Sequence, residues 1–284
     1  MSRLVVLFLC FWLTACSGDP MPPPVDGDKP MRIVSLDYCS DQYVLKLADP
    51  EQILAVSPDA GKEFSFMREE AVGLPTVRPL AEDVLILKPD LVVRSYGGGP
   101  SAAAFFERAG IPVLQVGWVS SIDGEDSGSI PSLIQAMADG LGQSKRGQDL
   151  VSEYRDRLRS LKARATETSA LYMTPSGYTT GGGSLAHEMM LAAGLTNFEK
   201  SPGWRSLSLE RLVYEQPDIV AAAYYDALKK PLDAWSASRH PVAREQLAEP
   251  DTVPIQGAWV SCGGWFILNA VEALSAGAAE RSRR

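Results

Sequence analysis

Residues 82–99 read "EDVLILKPDLVVRSYGGG" and residues 210–226 read "ERLVYEQPDIVAAAYYD". Each stretch runs from a Glu through an apolar helical run to Pro-Asp at a turn, then an apolar strand and a Tyr just past it. Pro89 and Pro217 are 128 positions apart, and on that offset Glu82 falls on Glu210 and Tyr96 on Tyr224. Pro-Asp after an apolar helix is a common turn before a strand. Two copies with matched Glu and Tyr positions point instead to two lobes of similar build.

The same alternation extends outward from both copies. "MRIVSLDYCSDQYVLKLA" (31–48) is a strand feeding a helix, and "QILAVS" (52–57) reads as a second strand. "AAAFFERAG" (102–110) is a helix stopped by Gly, and "IPVLQVGW" (111–118) another strand. The second half repeats this with "SALYMTPSGY" (169–178) as strand, "SLAHEMMLAAGL" (184–195) as helix and "DIVAAA" (218–223) as strand. Between the halves, Leu150, Val151, Tyr154, Leu158 and Leu161 make the apolar stripe of one long amphipathic helix. The expected fold is α/β: two similar lobes, each a parallel sheet flanked by helices. The lobes span 31–142 and 167–280, with a connecting helix over 143–166.

At 284 residues the chain can bury two cores, and its 45% hydrophobic and 22% charged residues are a globular balance. A net charge of -8 without any basic run excludes nucleic acid as a partner. The apolar run Leu4–Trp12 is too short to span a bilayer and reads as the core of a signal peptide over 1–16. Its end resembles a lipoprotein box, with Cys16 the lipidated residue. Residues 17–30, rich in proline, then form a stiff tether. The expected location is exported and periplasmic, held at a membrane through Cys16.

Catalytic chemistry finds no constellation. His187 and His240 are the only histidines. "HEMML" at 187–191 lacks the second His of the helical zinc signature. No nucleophile elbow or phosphate loop is present, and "GGGSLA" (181–186) is a weak match to a dinucleotide turn. No catalytic residue, resident metal or cofactor is expected.

Five segments together resemble the two-lobed substrate-binding proteins of ABC importers for ferric siderophores, haem and vitamin B12. They are "RIVSLDYCSDQ" (32–42), "EDVLILKPDLVV" with "ERAGIPVLQV" (107–116), "GYTTGGGSLAHEMMLAAGLTNF" (177–198) and "GWRSLSLERLVYEQPDIVAA" (203–222). The resemblance covers roughly 31–275. It implies lobes joined by one rigid helix, a ligand in the cleft between them, and a monomer. It also implies that Glu82 and Glu210 dock onto arginine pockets of a permease dimer whose ATPase subunits are separate chains.

Ligands of open α/β sheets meet the loops past the carboxyl ends of strands. Those positions hold Tyr38, Tyr96, Trp118, Tyr178 and Tyr224. Trp204, where vitamin B12-binding relatives also carry a Trp, and Trp259 complete an aromatic set suited to a bulky or flat ligand. Arg78, Arg94 and Arg205 are candidates to hold an anionic group, and Tyr96 or Tyr224 to ligate Fe(III) directly. Cys39 and Cys262, both read at helix starts facing the cleft, have three readings: a disulfide, a ligand contact or two free thiols. The expected cargo is an iron complex, a ferric siderophore or haem, with a corrinoid as the alternative within the family. An exported enzyme or a protein-binding surface lipoprotein are the alternatives outside it.

Overall fold

A computed structural model describes residues 29–161, 166–224, 236–247 and 251–283. The leader 1–16, Cys16, and all of the tether except Lys29 and Pro30 lie outside these residues.

In the first lobe β1 (Ile33–Ser35), β2 (Ile53–Ala55), β3 (Leu91–Arg94) and β4 (Val113–Gln115) form a parallel sheet in the order β2-β1-β3-β4. Its helices are α1 (Tyr38–Leu47), α2 (Ala81–Ile86), α3 (Ala102–Arg108) and α4 (Ile130–Gly140). The long helix α5 (Ser144–Leu161) packs on α4 and leads into the second lobe. There β5 (Ser169–Met173), β7 (Thr196–Asn197), β9 (Ile219–Ala223) and β10 (Thr252–Ile255) form a second parallel sheet, β10-β9-β5-β7. Its helices include α6 (Leu185–Ala192), α7 (Leu209–Tyr214), α8 (Pro241–Glu245), α9 (Gly257–Val260) and α10 (Leu268–Arg281). An antiparallel ribbon pairs β6 (Tyr178–Thr180) with β8 (Trp204–Ser206).

The stretch 169–178, expected as one strand, is split into β5 and β6. Pro175 withholds a ladder donor, and Gly177 turns the chain at φ 77°, its N–H donating to the Thr174 carbonyl at 2.9 Å.

The repeated Pro-Asp has one job in both lobes. Leu91 pairs with Ile33 and Ile219 with Ala170, so Asp90 and Asp218 stand beside the residues that open β1 and β5. Asp90 accepts the N–H groups of Met31 and Arg32, both at 2.9 Å. Asp218 accepts the N–H and the hydroxyl of Ser169, both at 2.9 Å, and pairs with Arg281 at 3.0 Å. Each carboxylate satisfies donors that a parallel ladder leaves open at its start. The Ser169 N–H, then its hydroxyl and Arg281, hold the Asp218 carboxyl below the usual carboxylate range. A depressed carboxyl stabilises the fold above its unfolded pKa and loses that contribution on acidification. Asp218→Asn should therefore lower stability by about 1–2 kcal/mol at neutral pH. Urea unfolding should show the deficit shrinking towards roughly pH 3, and a constant deficit would refute this linkage.

Strand alternation divides the side chains between two buried faces. Val34 and Val92 join one outer cluster, Leu171, Val220 and Ala222 another. Ile33, Leu91 and Val93 from the first sheet share a single core with Ala170, Tyr172, Ile219 and Ala221 from the second. The inner faces of both sheets thus belong to one continuous apolar body, which makes independent movement of the lobes costly.

Candidate ligand-binding cleft

A cleft of about 830 Å³ opens between the lobes. Six of the aromatic residues expected there line it: Tyr38, Tyr96 and Trp118 from the first lobe, Tyr178, Trp204 and Tyr224 from the second. Tyr38 opens α1, with its ring 6.1 Å from that of Tyr96 and 4.7 Å from Phe64, both edge-on. Trp118 stands on the loop after β4 and is 85% exposed, a free ring at the cleft mouth. Tyr178 and Trp204 reach the cleft together because Trp204 pairs with Thr180, which places all three on one face of the ribbon.

Tyr224, just past β9, has φ 52°, a left-handed conformation unusual for a bulky residue. Its ring lies against Gly257, where an added Cβ would fall 2.5 Å from the ring carbon Cδ1. Such a conformation persists where the surroundings hold it, here with the ring seated on Gly257.

Other expectations meet a different placement. Arg94 is buried beneath the loop it was expected to arm, donating to the carbonyls of Gly97 at 2.8 Å and Gly99 at 2.9 Å. Arg78 is exposed and pairs with Asp83 in the first turn of α2. Arg205 is opposite Thr179, so it faces away from the side of the ribbon that carries Tyr178 and Trp204 and approaches Glu199 at 3.9 Å. Trp259 packs against the shared core rather than lining the cleft. Among the described residues, none that lines the cleft carries a charged side chain. Burial raises the Tyr38 hydroxyl to about 12 and pushes Tyr96 up further, so both remain protonated at neutral pH. They offer hydroxyls rather than phenolates, and Tyr38 meets the Ser261 side chain.

Cys39 and Cys262 are joined in a disulfide, with Cα atoms 5.5 Å apart, and both line the cleft floor. Cys262 lies between α9 and the short turn Trp265–Ile267, past a helix rather than at its start. Beside the bridge the Tyr43 hydroxyl donates to the Gly263 carbonyl at 2.7 Å, and Phe66 stacks on Phe266. These contacts weld the floor.

Tyr172, within β5, also lines the cleft, its ring 5.9 Å from that of Trp204. A strand-interior Tyr reads as core, and its place near the carboxyl end of β5 brings it to the cleft. Leu185, Ala186 and Met189 at the start of α6 supply a further apolar wall. His187 on that helix lies 3.1 Å from the Asn197 amide. Glu82 and Glu210 stand exposed in the first turns of α2 and α7, and no ion pair holds either among the described residues. Among those residues no group of three His, Cys, Asp or Glu could hold a metal ion, and no helix is long and apolar enough to cross a membrane.

A search of curated proteins found no match. Among solved structures, a periplasmic heme-binding protein, RhuT, from Roseiflexus sp. RS-1 matches with a TM-score of 0.68 at 21% identity over 88% of this chain and 98% of its own. The vitamin B12-binding protein BtuF of Vibrio cholerae matches with a TM-score of 0.66 at 18% identity over 90% and 99%. A possible iron-binding periplasmic solute-binding protein from Staphylococcus epidermidis matches with a TM-score of 0.65 at 19% identity over 88% and 99%. At these identities the likeness concerns the fold. The family model described as "Periplasmic binding protein" matches residues 33–233, most of the chain, including the first sheet, the long helix and strands β5, β7 and β9 of the second sheet. The chain belongs to the periplasmic binding protein family.

Proposed function

We propose that the chain is the substrate-binding component of an ABC importer, which captures a bulky metal complex between its lobes and delivers it to a membrane permease. The observation that carries this reading is the cleft itself, walled by aromatic rings from both lobes over a welded floor. Stacking on a broad face uses such rings well, and a preformed site limits the ordering cost of binding. Structural neighbours that are haem-binding, iron-binding and vitamin B12-binding proteins lend support.

An iron complex, as haem or a ferric siderophore, is the first reading of the cargo. A corrinoid is the second, and a specific observation favours it. Haem propionates and catecholate complexes are anionic, and the described lining offers them no cation, because all three candidate arginines are turned elsewhere. An amide-rimmed macrocycle asks only for apolar faces and neutral hydrogen-bonding groups. Titration of the chain lacking residues 1–16 with haem, ferric siderophores and cobalamin should quench fluorescence from Trp118 and Trp204. Saturation at about 1 µM or below by one class identifies the cargo, and no saturation by any of them refutes the metal-complex reading.

Glu82 and Glu210 would dock, one from each lobe, against cationic pockets on the two permease subunits. Reversing both charges, Glu82→Lys with Glu210→Lys, should leave ligand affinity intact and abolish transport in reconstituted vesicles. Transport at the unmodified rate would eliminate this docking role.

A further inference from the structure

Asp37 is 3% exposed, carries no ion pair among the described residues, and is not among the residues that line the cleft. Its extended backbone caps α1, and its Oδ1 accepts the Ser40 N–H at 3.0 Å. Its Oδ2 accepts three successive N–H groups from the loop after β3: Ser95 at 2.7 Å, Tyr96 at 3.0 Å and Gly97 at 2.8 Å. Consecutive N–H groups converging on one point form an anion-binding nest, and here the anion is a side chain of the same protein. The close approach requires Gly97, where an added Cβ would lie 2.5 Å from the Leu36 carbonyl oxygen. Arg94 pulls the same loop from beneath through the Gly97 and Gly99 carbonyls.

The two residues held this way are cleft residues. Tyr38 follows Asp37 directly, and Tyr96 is the middle residue of the nest. On the same helix, Cys39 next to Tyr38 and Tyr43 about a turn further on tie α1 to Cys262 and Gly263 of the other lobe. A single carboxylate therefore sets Tyr96 against Tyr38, on a helix whose own position is referred to the far wall.

We infer that Asp37 is the positioning residue of the cleft, fixing the spacing of the Tyr38–Tyr96 wall through its grip on the 95–97 backbone. This rests on the ligand-binding reading above. It differs from a purely structural role in that its effect on affinity must pass through Tyr96.

The test compares Asp37→Asn, Tyr96→Ala, their double variant and Asp90→Ala, whose carboxylate caps β1 at the end of the sheet away from the cleft. Asp37→Asn keeps the shape but cannot offer an acceptor to all four donors. In the free protein, amide exchange at Ser95, Tyr96 and Gly97 should accelerate about tenfold or more in Asp37→Asn and not in Asp90→Ala. The affinity for haem or for cyanocobalamin, whichever the unmodified protein binds, should weaken about tenfold in Asp37→Asn, and the same substitution in the Tyr96→Ala background should add little. Unchanged exchange overturns the inference. So do unchanged affinity, or losses that simply multiply in the double variant, and these leave the cleft's function standing. If the unmodified protein binds neither probe, haem and the corrinoid fail as cargo, and the exchange comparison alone decides whether Asp37 fixes the loop.

Discussion

Replacing Cys39 and Cys262 by Ser should lower the unfolding free energy by about 5 kcal/mol. The bridge closes a sequence separation of 223 residues, and the chain-entropy cost that it removes from the unfolded state is near the upper end of the usual range for so long a loop. The native cleft should change far less. The Tyr43–Gly263 hydrogen bond and the Phe66, Trp265 and Phe266 rings hold the same seam without it. Urea unfolding of the oxidised protein against the double Ser variant measures the first effect, and ligand titration of the same pair measures the second. Equal midpoints, or complete labelling of both thiols in the unreduced protein, would show that the bridge contributes nothing.

Stability should also fall as pH rises from about 4 to 6, through Asp41. Its carboxylate is 0% exposed, accepting the Ser57 N–H at 3.1 Å and the Ser57 hydroxyl at 2.5 Å. Burial raises it to about 6, against the partial opposition of hydrogen bonds from Ser35 and Ser57. Between the unfolded and folded values the native state keeps a proton that the unfolded chain has lost, so unfolding becomes easier across that window. Two units correspond to about 3 kcal/mol, a contribution fully present below about pH 4 and lost above the folded value. Asp41→Asn keeps an acceptor for the Ser57 N–H and has no charge to bury. Urea midpoints from pH 3.5 to 7 should show the variant gaining about 3 kcal/mol on the parent as pH rises. A difference that stays flat would mean that Asp41 ionises without cost. The comparison must be made as a difference, because Asp49 and Asp218 are shifted the opposite way.

The alternation of strands and helices and the doubled Glu to Tyr unit were written in local periodicity, and local periodicity survives folding because it reflects which face each element buries. The same unit carried Tyr96 and Tyr224 to the cleft, since a residue just past a strand in a parallel sheet emerges at the ligand-binding end. The charged side chains were not legible in this way. Arg94 and Arg205 both stand within a residue or two of cleft aromatics in the chain. One turns under its own loop to satisfy carbonyls, and the other takes the opposite face of a two-stranded ribbon. Direction across a ribbon depends on pairing parity, and pairing is a long-range fact.

From the sequence alone came the two-lobed α/β build, the connecting helix and the aromatic character of the cleft, all set by short-range pattern. Tertiary structure decided the rest: that Cys39 meets Cys262, that both sheets share one core, and that the described cleft lining is uncharged. It also gave Asp37 its three loop donors, 58 to 60 positions away. Those outcomes require residues far apart in the chain to be brought within hydrogen-bonding or bonding distance, and no window of neighbouring residues contains that distance.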